Sequence, residues 1–590
     1  MTVRGSRPVR IANCSGFFGD HLAAARELLD GPDPIDVLTG DYLAELTMLI
    51  LWKLRRRTPE AGYVPTFELQ MADVLGDCLA RGIKVVANAG GLNPHGLKAR
   101  LERIGEGLDR APKVAVVVGD DLSGRLDELA ASGLELANLD TGAALGSRLD
   151  AVATANAYLG GLGIAAALEA GADVVVTGRV TDASLVVGPA AWWHDWTATD
   201  LDALAGAVVA GHVIECGAQA TGGNYPFLDE LAPGYPGFPI CEVAADGSCV
   251  VTKQPGTGGA VTVGTVTAQL LYELGAPRYD NPDAAPRFDT IQLAQEGADR
   301  VSVFGTRGES PTNTLKVALN FDAGYRNSMT MVLTGLDIEA KAAHATTMLF
   351  ELLGGRDQFE AVDVQLLRTD HPDAHTNPEA TAQLRVSVKD PDKDKVGRRF
   401  SNTVTELALA SYSGFFLTSQ PSDASAYGVY WPLLIPRDVV THAVELPDGE
   451  RIEIPHAVVP PTTLPAAEPF IGPAPFGPST RRPLGDVCGA RSGDKGGNAN
   501  VGLWTRSDDA YAWLAATLTV DRFKDLLEES RDLEVRRYEL ANLRALNFVV
   551  VGILGDGVAS STRFDPQAKG LGEYVRSRHL EVPDHLVVAH

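Results

Sequence analysis

The sequence predicts an α/β protein whose N-terminal domain is a doubly wound, mainly parallel sheet, and three observations carry that expectation. Short apolar runs rich in β-branched residues recur through residues 9–225. Amphipathic or alanine-rich stretches separate them, and each run ends in Gly, Asn, Asp or Glu. Unalternated apolar runs separated by helices indicate strands buried on both faces, which means parallel pairing beneath two helical layers. A barrel is the other arrangement of the same alternation.

In order, the predicted strands are 9–13, 35–38, 83–88, 114–118, 174–177 and 213–215, with helical stretches at 22–29, 43–56, 67–81 and 151–170. Beyond residue 230 the texture changes. Asp246-Gly247 between 240–243 and 249–252 signals a hairpin. Strands are expected at 300–304, 314–321, 329–333, 362–368 and 382–388, and helices at 339–353 and 395–410. These make a 231–454 α+β domain. Nine of the chain's 35 prolines fall between Pro455 and Pro483, a density that removes donors and stiffens an extended linker. Strands at 499–504, 533–538 and 545–554, with helices at 509–518, 520–529 and 571–579, suit a small ferredoxin-like domain over 484–590.

Composition narrows the function. At 590 residues the chain exceeds one ordinary core, and its hydrophobic share of 45% and charged share of 22% suit a globular protein. The net charge of −25 repels phosphate backbones and anionic lipid, against nucleic-acid and membrane-surface roles. No signal peptide and no run of eighteen apolar residues is seen. Six cysteines without Cys-x-x-Cys spacing argue against common zinc arrangements and fit reduced cytoplasmic thiols.

The functional signal follows each strand. The chain reads Ser15-Gly16-Phe17-Phe18-Gly19-Asp20, Gly40-Asp41-Tyr42, Asn88-Ala89-Gly90-Gly91-Leu92-Asn93-Pro94-His95, Gly119-Asp120-Asp121, Thr177-Gly178-Arg179-Val180-Thr181-Asp182 and Glu215-Cys216-Gly217-Ala218-Gln219. Loops at the carboxyl ends of parallel strands share one edge, where ligands bind. Each loop alone is also an ordinary connector or helix cap. Near the other end, Arg491-Ser492-Gly493-Asp494-Lys495-Gly496-Gly497-Asn498-Ala499-Asn500 joins glycines that turn N–H groups toward an anion with two cations. It lacks the order of a P-loop.

Ser15–Asp20, Asp41-Tyr42-Leu43-Ala44-Glu45, Asn88–Pro94, Thr177-Gly178-Arg179, Glu215–Gln219 with Thr221-Gly222-Gly223, and Arg491–Gly496 resemble the acyclic terpene utilisation family, with a large N-terminal and a small C-terminal ferredoxin-like domain. The resemblance implies a place in bacterial breakdown of citronellol- and geraniol-type terpenes through coenzyme A thioesters. It carries no catalytic roles, only the expectation that these blocks form the site.

Acid–base chemistry on an acyl-CoA or branched carboxylate, of hydratase or lyase type, needs a carboxylate base and a cation beside an enolate-like oxyanion. The candidate catalytic residues are Glu215, Arg179, Lys495 and Asp494. Asp41, Asn88, Gly90, Gly91, Asn93, Gln219, Arg491 and Asn498 are candidates for binding substrate. Glu215 also reads as a structural carboxylate, Asp182 as the partner of Arg179, Cys216 as a buried small hydrophobe, and His95 and His212 as structural histidines. The acids Asp41, Asp120 and Asp121 are too ordinary a set to assign a metal, and no cofactor is expected. A non-catalytic accessory subunit is the second reading. Trp192, Trp193, Tyr427 and Trp431, on exposed faces, would indicate a homo-oligomer, and Lys495 is expected to reach the N-terminal cleft.

Overall fold

A computed structural model describes residues 4–108, 110–456, 459–465 and 477–587. Its contacts resolve into two compact units. The first comprises Met1–Asn320, Tyr430–Val558 and Gln567–His590, and the second Phe321–Val429 and Ala559–Pro566. The linker expected at 455–483 lies partly outside the described residues, at 457–458 and 466–476.

The first unit is built on β1 (Val9–Asn13), β2 (Val37–Gly40), β3 (Lys84–Ala87), β4 (Val114–Val118), β5 (Val152–Ala157) and β6 (Val174–Thr177). Pairing is parallel from β1 to β2, β3, β6 and β4 in that order. Every residue of β2 and β6 is buried, as helices over both faces require. Antiparallel strands extend both edges. Pro239–Val243, Cys249–Lys253, Arg300–Phe304 and Gln292–Gly297 continue beyond β1, and Ala443–Glu445 with Arg451–Glu453 continue beyond β4. β5 leaves this sheet to pair with the long strand Thr314–Thr334. A separate antiparallel sheet, ordered Cys488–Lys495, Asn498–Thr505, Ala545–Val550 and Val535–Leu540, carries the helices Asp508–Thr517, Val520–Leu526 and Leu571–Ser577.

In the second unit, Ala361–Leu367 and Thr381–Asp390 pair beside the later part of Thr314–Thr334. One face of that sheet packs Met331, Leu384 and Val386 against the helices Ile338–Leu353 and Arg398–Glu406.

Several expectations change. The eleven-stranded sheet is mixed: six of its strands are antiparallel, and its parallel strands run in the order β1, β2, β3, β6, β4, with β6 inserted between β3 and β4. Residues 231–454 do not stand apart, because their first and last strands complete the N-terminal sheet. The strand expected at 213–215 is the end of a helix, Leu201–Ile214, buried throughout from Leu204 to Ile214. A short apolar run and the tail of a buried helix look alike in sequence. The helix expected over 151–170 begins only at Leu162, after β5 and the Gly160-Gly161 turn. The Arg491–Asn500 stretch is a hairpin, two strands joined at Gly496 and Gly497, not a loop. Trp193, Tyr427 and Trp431 are buried within the chain and Trp192 is half-buried, so these four do not form the large exposed face expected of them.

Candidate functional site

The carboxyl ends of β1, β2, β3 and β6 share one edge of the sheet, and a network of buried amides holds their loops together. Asp41 follows β2 and accepts a hydrogen bond from Asn88 Nδ2 (2.6 Å), just beyond β3. Asn88 Oδ1 in turn accepts from the Tyr42 N–H (2.8 Å). Asn13, the last residue of β1, donates to the carbonyls of Ile214 (2.7 Å) and Glu215 (2.9 Å). That amide pins the end of the helix Leu201–Ile214 at the strand ends, which brings Glu215 to the edge although it ends no strand. Gly16 lets the loop pass: a Cβ there would sit 2.6 Å from the Cys216 backbone.

Arg179 follows β6 and is buried. Its N–H meets Asp120 Oδ2 (2.8 Å), and Nη1 donates to the Leu43 carbonyl (2.7 Å) and Asp182 Oδ1 (2.6 Å). Its guanidinium lies 4.2 Å from the ring centre of Tyr158. Tyr158 donates to Glu45 Oε1 (3.1 Å), and Lys316 Nζ stands 3.7 Å from the same oxygen. Lys316 is placed by the Tyr158 N–H bond to its carbonyl (2.9 Å), in the pairing of β5's continuation with Thr314–Thr334.

The C-terminal sheet delivers the remaining cations. Asn500 and Asn547, both fully buried, clamp the segment 271–275. Asn500 Nδ2 donates to the Leu271 carbonyl (2.6 Å), and Asn547 Nδ2 to those of Leu274 (2.9 Å) and Gly275 (2.7 Å). Lys495 Nζ donates to the Glu273 carbonyl (2.9 Å) and lies 5.4 Å from the centre of the Tyr279 ring. Arg491 Nη2 bonds Gln219 Oε1 (2.5 Å) and stacks 4.4 Å over Tyr272.

Burial and charge push these groups in opposite directions. Burial, with Asp182 nearby, raises Asp41 and Glu215 well above the carboxylate range. Burial lifts Asp120 to about 7, and burial with Glu273 lifts Asp494 to about 8. Burial would raise Glu45 too, but Lys316 and Arg179 outweigh it and hold it at about 2. Burial and then Lys316 lower Lys495. His212, 3.2 Å from Glu215 through Nδ1, is brought to about 4 by burial and by Lys495. At neutral pH that contact therefore joins an uncharged histidine to a carboxyl whose ionised form burial disfavours.

Of the predicted site residues, Asp41, Asn88, Arg179, Glu215, Gln219, Arg491, Asp494 and Lys495 fall in this network. Others have their groups committed elsewhere. Asn93 caps the helix Pro94–Gly105 through the Gly96 N–H (3.0 Å) and donates to the Glu60 carbonyl (2.8 Å). Asn498 bonds Asp140 (2.9 Å) and the Gly552 N–H (2.8 Å). Gly90 and Gly91 serve the turn itself: a Cβ on Gly90 would stand 2.5 Å from the Thr177 carbonyl oxygen, and Gly91 has φ +52°. Cys216 is only partly buried. Asp182 pairs with Arg179 as expected, yet its charge also acts on Asp41 and Glu215. Sequence reading missed Lys316, Glu273, Tyr158 and Tyr279, and took His212 for a structural histidine. Glu45 stood inside a quoted block without a role. Among the described residues, no three His, Cys, Asp or Glu side chains converge to hold a metal, and no helix is long and apolar enough to cross a membrane.

The charge pattern predicts a pH dependence of stability. A carboxyl raised on folding stabilises fully below its unfolded value and loses that contribution as pH rises through its folded value. For Asp120 and Asp494 the loss runs up to about pH 7 and about pH 8, with Asp41 and Glu215 acting in the same sense. The lowered histidines, His212 and His442, oppose this only below their unfolded value of 6.5. The urea midpoint should therefore fall between pH 6.5 and 8.5, and Asp120→Asn should flatten that fall. A midpoint rising over this interval would contradict the assignment.

Residues 9–446 match the profile of the acyclic terpene utilisation family protein AtuA, and residues 482–581 match the AtuA ferredoxin-like domain. No curated protein and no solved structure matches the chain.

Proposed function

This chain belongs to the acyclic terpene utilisation family, and on that premise we propose that its buried cluster is an active site for acid–base chemistry on an acyl-CoA thioester or related branched carboxylate. The observation that carries the reading is the division of protons within one cluster. Glu45 is held ionised at about 2, while Glu215 and Asp41 are raised well above their usual range. Titratable groups whose surroundings push them apart are the mark of assigned acid and base roles.

In the hydratase–lyase form of that chemistry, the Lys495 amine removes a proton from the carbon beside the thioester carbonyl. Its lowered pKa favours the neutral form that can do so. Negative charge builds on the carbonyl oxygen, within the positive field of Arg179 and Lys316. The bond to a β-hydroxyl breaks, and Glu215 gives that oxygen its proton, so water leaves. The reverse order adds water. Glu215 thus starts the reaction as the acid, whereas its sequence position suggested a base. Arg491, stacked on Tyr272 and held by Gln219, offers a cation to the carboxylate or phosphate of an anionic substrate.

The test is turnover by the purified chain alone. Incubation with branched enoyl-CoA and 3-hydroxyacyl-CoA thioesters should interconvert them, followed by loss of enoyl absorbance. Binding of either thioester without interconversion would instead assign the chain as a non-catalytic accessory subunit.

A further inference from the structure

The acid–base cluster contains a buried hydroxyl that the reaction steps leave without a role. Tyr430, in the strand Ser425–Pro436, belongs to the first unit. Its N–H meets the Asp556 carbonyl (3.4 Å), and its ring packs with Tyr158 and Ala318. The ring edge lies on the turn of the hairpin that carries Lys495: a Cβ on Gly496 would stand 3.3 Å from Tyr430 Cε1. Lys316 Nζ stands 5.6 Å from the ring centre. The phenol is therefore fixed among Lys316, Tyr158 and the Lys495 hairpin, and the charges of Glu45 and Arg179 act on it.

Only 7% of Tyr430 is exposed, and among the described residues its hydroxyl has no hydrogen-bond partner. Tyr158 stands beside it, outside hydrogen-bond geometry, and gives its own proton to Glu45 (3.1 Å). Tyr42 likewise gives its proton to Gln70. Folded proteins leave few buried polar groups unpaired, and an orphan inside a charged cluster calls for an explanation. Burial, with Tyr158 and Glu45 beside it, pushes the Tyr430 phenol well above its usual value, so at neutral pH it remains a donor. What it lacks is an acceptor. An oxygen gaining negative charge fits, because the field of Arg179 and Lys316 favours such an oxygen here. A preorganised neutral donor adds to that field without burying another charge.

We propose that Tyr430 is a further catalytic residue, its phenol donating a hydrogen bond to the thioester carbonyl oxygen as the enolate forms. The assignment rests on the acid–base reading of this site and adds a donor to it. No proton leaves Tyr430. Its O–H bond stays intact while Lys495 holds the abstracted proton, and the hydrogen bond weakens as the carbonyl reforms.

Tyr430→Phe keeps the ring and removes only the hydroxyl. Its urea midpoint should equal or exceed that of the unaltered chain. A lower midpoint gives the hydroxyl a structural partner and overturns the proposal. Titration calorimetry with acetoacetyl-CoA, a thioester that ionises to an enolate, tests the contact directly. The unaltered chain should bind it, and Tyr430→Phe should bind it about tenfold more weakly, as loss of a hydrogen bond to a charged oxygen requires. No binding to the unaltered chain, or equal affinity in the variant, overturns the proposal. Turnover separates this assignment from the reading it rests on. If the unaltered chain interconverts enoyl- and 3-hydroxyacyl-CoA, Tyr430→Phe should lower kcat about 100-fold with KM nearly unchanged, and an unchanged kcat overturns the proposal. If the unaltered chain interconverts neither while the acetoacetyl-CoA difference persists, the hydratase–lyase reading falls and the contact of the phenol with the thioester oxygen stands.

Discussion

Glu215→Gln is expected to lower turnover about 100-fold or more, the usual contribution of a positioned general acid, without lowering thermal stability. Glutamine copies the shape and neutrality of a protonated glutamate but gives up no proton. Burial and the neighbouring charges of Asp182 and Glu273 raise Glu215 well above the carboxylate range, which favours the neutral form that glutamine copies, so the substitution removes chemistry and little else. Its backbone anchor, the Asn13 amide on the Glu215 carbonyl (2.9 Å), is untouched. The pH profile adds a second reading. Turnover in the unaltered protein should decline as pH rises through the raised pKa of Glu215, and the residual activity of Glu215→Gln should lack that decline. A variant that keeps full turnover would leave Glu215 as a structural carboxyl.

How far the sequence disclosed this site depends on the kind of contact involved. Asp41, Asn88 and Arg179 were legible because each directly follows a short β-branched run, and parallel strands put such residues on one edge. Glu215 was placed correctly for a wrong reason. Its run, Val213-Ile214, looks like a strand, but it closes an alanine- and valine-rich helix that Asn13 anchors at the same edge. Lys316 and Tyr158 were not legible. They meet only because β5 leaves the main sheet to join a strand about 160 residues later, and no local pattern encodes that pairing. The mixed character of the sheet escaped for the same reason. Strands at 239–304 and 443–453 are ordinary hairpin material locally, and only long-range pairing sends them to the two edges of the parallel core.

Lys495→Met should reduce turnover about 100-fold or more while leaving stability within about 1 kcal/mol of the unaltered protein. The sign of the stability effect follows from the lowered pKa of Lys495, which burial and the charge of Lys316 produce. A lysine whose folded pKa lies below its unfolded value destabilises the folded state while it is charged, and that penalty disappears as pH rises toward the unfolded value of 10.5. Methionine removes the penalty and keeps an unbranched stem to fill the space beside Gly275. Against this stands the loss of one hydrogen bond, from Nζ to the Glu273 carbonyl (2.9 Å). The two effects offset one another near neutral pH, and the balance shifts against the variant as pH approaches 10.5. Urea denaturation at pH 7 and pH 10, beside single-turnover assays, separates the outcomes. Loss of stability and activity together would make Lys495 a pin between the C-terminal sheet and the segment 271–275. Retained stability with lost turnover places its amine in the chemistry, because the buried amides Asn500 and Asn547 hold that segment without it.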